Sequence, residues 1–262
     1  MPFAAAVDGT RLAYQEIGAG PPLLLVPGQA SDHEIWTGVR EAFADRYRVV
    51  TFDHRGTGDS DKPEAPPYST RGFAQDAIAV LDHLGIGRAH AYGVSMGGRI
   101  CQWLGIEHAA RIGALVLGCT TPGNAHGVRR PPHVDPVLAS GDPERMLPFL
   151  VSLEWAAANA AFLARRGAWQ LAHVVPPHAR ALHYQASEGH DTWDLLPRIT
   201  APTLVIHGSD DEVNVAANAP LLVQRIPGAE LHLIERARHV YFWDHGEEAH
   251  RVVAEFLARH PL

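Results

Sequence analysis

The segment with the clearest chemistry is Gly93-Val94-Ser95-Met96-Gly97, in which a serine stands between two glycines. It follows a short apolar run ending at Tyr92 and opens a predicted helix from Gly97 to His108. A Gly-x-Ser-x-Gly between strand and helix places the serine on a tight turn, with its hydroxyl exposed for nucleophilic attack. The backbone N–H of Met96 can then point at a developing oxyanion.

A serine hydroxyl becomes a good nucleophile only when a base accepts its proton and an acid orients that base. In proteins with this type of turn, the acid and then the histidine follow the serine along the chain. A first downstream apolar run is followed by three carboxylates: Asp210, Asp211 and Glu212. A second run, from Glu230 to Ile234, is followed by His239. The order predicts a Ser-His-Asp triad in which the identity of the acid is still open.

The segments around these residues alternate between short apolar runs and amphipathic stretches, which is typical of a sheet covered by helices on both faces. A hairpin is predicted from about Val7 to Ile17. Further strands are predicted at Pro22–Pro27, Tyr47–Phe52, Arg88–Tyr92, Ile112–Gly118, Thr203–His207 and Glu230–Ile234. Helices are predicted at Thr70–Leu84, Gly97–His108 and Glu247–Arg259.

The alternation stops over about 120–197, a stretch rich in Ala, Pro, Trp and His. Helical pieces are predicted there around Glu154–Arg166 and His178–Glu188. We therefore expect an α/β core made of residues 1–119 and 198–262, interrupted by a helical lid of residues 120–197.

The lid is predicted to cover the serine and to supply an apolar substrate pocket. Trp155 and Trp169 are the aromatic candidates for this pocket, although packing of the lid onto the sheet is the alternative interpretation of each. Cys119 is a third candidate, for which a packed thiol is the alternative. Arg129 and Arg130 are left without a role.

Two further segments carry recognisable signatures. Asp53 to Ser60 reads D-x-R-G-x-G-x-S, and Ala201 to Gly208 is an apolar run that ends just before the acidic residues. Together with the serine motif, they make the chain resemble the α/β-hydrolase superfamily, in its branch of small cofactor-free serine hydrolases: esterases, enol-lactonases, carbon–carbon bond hydrolases and haloperoxidases. The resemblance covers nearly the whole chain outside the insertion. It implies a mostly parallel eight-stranded sheet flanked by helices, with a helical lid inserted after the sixth strand.

The resemblance also implies residue roles. The family's acid is the third residue after the glycine, which is Asp211, and its histidine corresponds to His239. The oxyanion donors are implied to be the backbone N–H groups of Gln29 and Met96. The chain departs from the family at Pro27, where a histidine usually precedes the glycine, but a backbone donor does not depend on that side chain. The side chain of Gln29 is a further candidate for contact with substrate. No cofactor is implied.

Several other polar residues are expected to have structural roles or to be solvated. His245 abuts the last predicted helix and His250 falls within it, so both are expected to be structural or solvated. Asp53 and Arg55 are expected to hold their turn through a local ion pair and hydrogen bonds. The chain has 17 histidines, yet none stands in a recognised metal motif, and we predict no metal site.

Composition restricts the partners. A net charge of −7 disfavours nucleic acid and anionic membranes. No apolar run approaches the about 20 residues of a transmembrane helix, and no secretory signal is visible. The two cysteines, Cys101 and Cys119, are expected to be free thiols in a reducing cytoplasm. The oligomeric state stays open, with a homodimer as one option.

The predicted function is hydrolysis of a small apolar ester or lactone through a Ser-His-Asp triad and an acyl-enzyme. Carbon–carbon bond hydrolysis or perhydrolysis by the same triad is the nearest alternative. A ligand receptor that retains the triad but turns over very slowly is the alternative from another class.

Overall fold

Eight strands form one sheet in a computed structural model, which describes residues 1–65 and 68–262. The strands are β1 (Phe3–Ala5), β2 (Arg11–Ile17), β3 (Pro22–Val26), β4 (Arg48–Phe52), β5 (Ala89–Val94), β6 (Ile112–Gly118), β7 (Thr203–Gly208) and β8 (Glu230–Ile234). Their order across the sheet is β1-β2-β4-β3-β5-β6-β7-β8. Strand β2 is antiparallel to both of its neighbours, and β3 to β8 are all parallel. This is the eight-stranded, mostly parallel sheet that the resemblance implied.

The opening hairpin begins earlier than the sequence predicts. Its first strand starts at Phe3, and Val7 lies in the turn with a relative exposure of 99%. The turn is set by Asp8, whose Oδ1 accepts the Thr10 N–H at 3.0 Å, and by Gly9 at φ 84°. Glycine adopts this left-handed conformation without steric cost. The Asp-Gly pair therefore divides the two strands and does not lie inside the first one.

The helices lie between and after these strands. They are α1 (Val39–Phe43), α2 (Thr70–His83), α3 (Met96–Glu107), α4 (Asp135–Ser140), α5 (Pro143–Leu150), α6 (Leu153–Ala158), α7 (Ala160–Ala172), α8 (Pro177–Glu188), α9 (Asn218–Arg225), α10 (Tyr241–Asp244) and α11 (Gly246–Ala258). Single 3-10 turns lie at His33–Trp36, Ala109–Arg111 and Leu196–Arg198. A search of the described helices finds none that is both long and apolar enough to cross a bilayer.

The segment predicted as a lid also contains α4 and α5, which were not predicted, and one of its predicted helices is divided. The stretch predicted as one helical piece around Glu154–Arg166 is divided into α6 and α7 at Asn159. The Asn159 side-chain amide donates to the carbonyl of Trp155 at 2.9 Å, and its backbone has a non-helical φ of −115°. Asparagine favours such side-chain-to-backbone bonds over a continuous helix. One asparagine therefore separates the two helices.

The core lies on both faces of the sheet. One apolar cluster contains Phe73 of α2, Ile100 of α3 and Leu222 of α9, so these helices cover one face. The other contains Phe43 of α1 and Phe256 of α11. Strands β5, β6 and β7 are buried along their whole length, as strands covered on both faces must be. This double covering leaves the carboxyl ends of the parallel strands as the place where functional loops meet.

Several histidines are part of this interior. His54, His90 and His183 are each at most 1% exposed. Burial lowers the pKa of His54 to about 3, and the pKa values of His90 and His183 to about 4. These imidazoles are therefore neutral in the folded protein at pH 7, and they stay neutral well below the pH at which an exposed histidine takes up a proton.

We predict that acid destabilises the fold through these histidines. In the unfolded chain each titrates near pH 6.5, whereas in the folded chain each takes up its proton only near pH 3 to 4. Between those values the unfolded state binds more protons, so stability falls as pH falls, by up to about 1.4 kcal/mol per pH unit for each such histidine.

Urea unfolding at pH 7.0, 6.0 and 5.0 measures this slope. The variant His90→Gln removes one titrating group. The slope of the free energy of unfolding against pH should therefore fall by up to about 1.4 kcal/mol per pH unit, which corresponds to one proton. A free energy of unfolding that is constant over this range would contradict the prediction.

Candidate active site

Ser95 occupies a sharp corner between β5 and α3. Its backbone lies at φ 57° and ψ −119°, outside the regions that non-glycine residues prefer. A Cβ on Gly93 would collide with the carbonyl oxygen of Gly97, and a Cβ on Gly97 would collide with that of Val26. The Ser95 N–H donates to the Gly118 carbonyl at 2.9 Å and anchors the corner on β6. Both glycines of the motif are therefore required sterically.

The loop after β3 passes directly beside this corner. A Cβ placed on Gly28 would lie 3.4 Å from the Ser95 Cβ and 4.0 Å from its Oγ. Gln29 is the next residue of this loop, and Met96 is the first residue of α3. The first N–H groups of a helix have no acceptor within the helix. The N–H of Met96 is therefore free to bind an anion. The two predicted oxyanion donors thus flank the serine, and their role stays a prediction.

The acid and the histidine meet across neighbouring strand ends. His239, after β8, and Asp211, after β7, are joined by a 2.7 Å hydrogen bond between Nδ1 and Oδ2. The other carboxylate oxygen accepts the N–H groups of Val213 and Asn214 at 2.8 and 3.0 Å. Because an ionised carboxylate only accepts hydrogen bonds, Nδ1 of His239 carries the proton and Nε2 is left as an acceptor.

The surroundings of Asp211 favour its charged form. Burial raises the pKa of Asp211. Electrostatic attraction to His239 and His207, together with hydrogen bonds from both rings, outweighs burial and holds the pKa well below its usual range. His207 places Nε2 3.1 Å from the same Oδ2 that His239 contacts. A carboxylate that stays ionised can orient an imidazole and stabilise it once it is protonated.

The other candidates for acid and base make different contacts. Asp210 is exposed, and Glu212 forms an ion pair with His133 of the lid at 3.0 Å. His245 follows α10, and His250 lies within α11. Of the three carboxylates left open by the sequence, Asp211 is the one in contact with His239.

The serine does not complete this chain of bonds in the structure. The hydrogen-bond partner of Ser95 Oγ is the side-chain amide of Asn214 at 3.5 Å, and no bond from His239 to this oxygen falls within that distance in the described chain. The structure therefore pairs Asp211 with His239. Ser95 is connected to Asp211 through Asn214, whose side chain approaches the serine and whose N–H donates to the carboxylate.

Asn214 is a site residue that the sequence reasoning missed. Its amide donates to the Cys119 carbonyl at 2.7 Å as well as approaching Ser95 Oγ. Its own N–H is bound by Asp211. Asn214 thus connects the ends of β5, β6 and β7, and its position three residues after the acid is the sequence signal that could have found it.

The predicted pocket residues are engaged in other contacts. Trp155 stacks on Trp243, with 6.2 Å between ring centroids, and Trp169 donates its indole N–H to Asp32 at 2.8 Å. Cys119 is buried, and burial raises the pKa of its thiol, which fits the packed-thiol interpretation. That these side chains line a substrate pocket stays a prediction.

Arg166, on α7, is another residue that sequence reasoning missed. Its guanidinium lies 4.8 Å above the ring of Trp243, and burial lowers its pKa. Its Nη1 is buried and has no hydrogen-bond acceptor among the described residues. Nothing in the sequence distinguishes it from its neighbour Arg165, because only tertiary packing buries one and leaves the other exposed.

The turn from Asp53 to Ser60 is held by more distant partners than predicted. Asp53 pairs with His33 at 2.7 Å and also accepts the His33 and Asp59 N–H groups, both at 2.8 Å. Arg55 forms ion pairs with Asp76 and Asp8, both at 2.6 Å. The expected local ion pair between Asp53 and Arg55 is therefore wrong, because each side chain has a better partner elsewhere in the fold.

One group of side chains has the composition of a metal site. Ligand atoms of Asp32, His33 and Asp53 lie within 4.8 Å of one another. Each carboxylate already accepts hydrogen bonds, Asp32 from Glu34 and Trp169, and Asp53 from His33. Hydrogen bonds within the protein therefore account for the positions of Asp32, His33 and Asp53.

Known proteins are similar to this chain in sequence and in fold. A family model described as alpha/beta hydrolase fold matches residues 21–246. A protein of Azorhizobium caulinodans, named as a proposed carbamate hydrolase, RutD, is 32% identical over 92% of this chain and 92% of its own. A 2-hydroxy-6-oxononadienedioate/2-hydroxy-6-oxononatrienedioate hydrolase of Burkholderia vietnamiensis is 32% identical over 96% of this chain and 93% of its own.

Solved structures are similar over almost the whole chain. The enol-lactonase of Burkholderia xenovorans LB400 superposes with a TM-score of 0.85 and 26% identity, covering 98% of this chain and 100% of its own. Est816, described as an N-acyl homoserine lactone degrading enzyme, has a TM-score of 0.83 and 30% identity, with the same coverage.

We predict that Gly93→Ala destabilises the protein by about 1–3 kcal/mol, since the new methyl group collides with backbone that cannot move aside. Gly87→Ala is the matched control, because a Cβ there meets no atom within 4 Å. Urea unfolding of both variants tests this, and equal stability of Gly93→Ala and wild type would contradict the steric argument.

Proposed function

Since this chain belongs to the alpha/beta hydrolase fold family, we propose that it hydrolyses a small ester or lactone through a Ser-His-Asp triad and an acyl-enzyme. The observation that carries the proposal is the 2.7 Å bond between Asp211 and His239 at the sheet edge where the Ser95 corner lies. This arrangement supplies a nucleophile, a base with a free Nε2 and an ionised acid.

The proposed reaction follows from these positions. Ser95 Oγ attacks the carbonyl carbon while His239 Nε2 takes up its proton, and Asp211 stabilises the resulting imidazolium. The N–H groups of Gln29 and Met96 bind the oxyanion, and each contributes on the order of 3 kcal/mol. The histidine then returns the proton to the leaving oxygen. A water activated by the same histidine finally hydrolyses the acyl-enzyme.

The relatives support a small carbonyl substrate without agreeing on one. Their names include an enol-lactonase, a lactone-degrading enzyme and a proposed carbamate hydrolase. These substrates share a carbonyl with a heteroatom leaving group, which is what the proposed mechanism requires. The two buried free thiols, Cys101 and Cys119, are compatible with the reducing compartment in which we place the protein.

Carbon–carbon bond hydrolysis is the second candidate function. It is favoured by the 32% identity with the Burkholderia vietnamiensis hydrolase, whose named substrates are dioates. Arg166 of α7 has a buried guanidinium nitrogen that meets no acceptor among the described residues, and such a nitrogen can bind a carboxylate. Assaying the pure protein with a vinylogous diketone acid and with short p-nitrophenyl esters discriminates the two, because the preferred bond will have the higher kcat/KM.

A ligand receptor with a retained triad would behave differently. A serine-directed fluorophosphonate would label such a protein at Ser95, but no ester would be turned over repeatedly. Labelling combined with steady-state hydrolysis supports the enzyme, whereas labelling with a single turnover would support the receptor.

We predict that Ser95→Ala abolishes turnover of short p-nitrophenyl esters and leaves the unfolding transition intact, because the nucleophile is lost and the corner keeps its backbone. Initial rates and circular dichroism measure the two properties. Full retained activity in this variant would rule out the proposed mechanism.

We predict that Asp211→Asn lowers kcat by about 10⁴-fold, because an amide can donate to His239 Nδ1 and so stabilise the wrong tautomer. Asp210→Asn is the matched control, since the neighbouring Asp210 is exposed and makes no contact with His239 in the described structure. If Asp210→Asn lost more activity than Asp211→Asn, the assignment of Asp211 as the acid would be wrong.

A further inference from the structure

The loop that carries the proposed oxyanion donor has an unfavourable backbone. Ala30, directly after Gln29, lies at φ 51° in the left-handed region. This conformation costs a non-glycine residue roughly 1–2 kcal/mol, so surrounding contacts must impose it. The Gln29 N–H belongs to the Gly28–Gln29 peptide, so its direction depends on how the two neighbouring peptide planes, Pro27–Gly28 and Gln29–Ala30, are held.

Two buried histidines hold those planes. On one side, His54 donates from Nε2 to the carbonyl of Pro27 at 3.0 Å. On the other, the N–H of Ala30 donates to Nδ1 of His183 at 3.2 Å. The loop is therefore fixed at both ends by imidazole rings whose centroids are 6.0 Å apart.

The bonds of His183 determine its proton position without ambiguity. Nδ1 faces an N–H donor and must accept, while Nε2 lies 2.8 Å from the carbonyl of Arg55 and must donate. The ring is thus neutral with its proton on Nε2. Burial supports this state by lowering the pKa of His183 to about 4.

His183 belongs to the lid and not to the core. It lies in α8, which sits closely on the turn at Gly56: a Cβ there would be 3.0 Å from Ala179 Cβ and 3.2 Å from His183 Nε2. The preceding residue, Arg55, is held by a buried ion pair with Asp76 at 2.6 Å. His183 therefore connects the loop to a rigid part of the fold by way of the lid.

We propose that His183 is a positioning residue of the oxyanion hole, through which lid helix α8 sets the orientation of the Gln29 N–H. The inference rests on the proposed function, since it concerns the same site. Its consequence is that a lifted α8 would release Ala30 and weaken oxyanion binding, so the hole is complete only when the lid is seated.

Two variants separate the two bonds of the ring. In His183→Asn the amide oxygen takes the place of Nδ1 and can still accept from Ala30. In His183→Gln the amide nitrogen takes the place of Nε2 and can still donate to Arg55, but the acceptor for Ala30 is lost. Both variants remove the ring, so effects of packing alone should be similar in the two.

We expect His183→Gln to lower kcat for a short p-nitrophenyl ester by about 10–100-fold, less than the 10²–10³-fold loss of a direct donor. KM should change by less than about threefold, and His183→Asn should stay within about fivefold of wild type, because it retains the bond that orients the loop. Thermal unfolding of both variants shows whether they fold.

The decisive measurement is inhibition by a short alkyl trifluoromethyl ketone. Its adduct with Ser95 places an oxyanion in the hole, so its Ki should rise in His183→Gln by the same factor as kcat/KM falls. The Ki of the product acid should change little. If His183 had only a structural role, the substitution would change stability but not the ratio of the ketone Ki to the Ki of the product acid.

Equal losses in the two variants, or a loss of rate in His183→Gln with an unchanged ketone Ki, would overturn the inference. Failure of the proposed function is distinguishable from this outcome. In that case the wild type would lack ester turnover, or Ser95→Ala would retain it, before any His183 variant is compared.

Discussion

The strained corner at Ser95 is the constraint around which the rest of the site is arranged. A residue at φ 57° with a side chain persists only where its neighbours leave no alternative. Here Gly93 and Gly97 permit close backbone crossing, and β6 accepts the Ser95 N–H. Because β3 and β5 to β8 are parallel, their carboxyl ends lie at one edge of the sheet and bring the loop of Gln29, Asp211 and His239 to the side where this corner lies.

Electrostatics at the site depend on satisfying one buried carboxylate. Asp211 accepts two backbone N–H groups and faces two histidines, so it can be charged in the interior. A buried charge without such partners would cost several kcal/mol. The charged Asp211 in turn accepts from Nδ1 of His239 and leaves its Nε2 free, so the bonds that stabilise the carboxylate also orient the proposed base.

Two buried histidines, His183 and His54, hold the loop around Gln29 as neutral hydrogen-bonding groups. An imidazole with one donor and one acceptor can join an N–H to a carbonyl across a distance that no other side chain spans with the same rigidity. His183 does this between the lid, Ala30 and Arg55, and His54 supports Pro27. The abundance of histidine is thus explained in part by hydrogen bonding in the interior, at the cost of stability in acid.

The local features could be predicted from the sequence alone: the strand–turn–helix at Ser95, most of the strands, and the order in which the serine, the three carboxylates and His239 follow one another. These follow from short-range periodicity and from glycines that sterics demand at fixed spacing. Among the three adjacent carboxylates, the family resemblance already pointed to Asp211. The tertiary structure adds that Asp211 contacts His239, that Asn214 approaches the serine and that His183 of α8 holds Ala30. Those contacts join residues far apart in the chain, and single-sequence patterns carry no signal for which distant groups will be packed against each other.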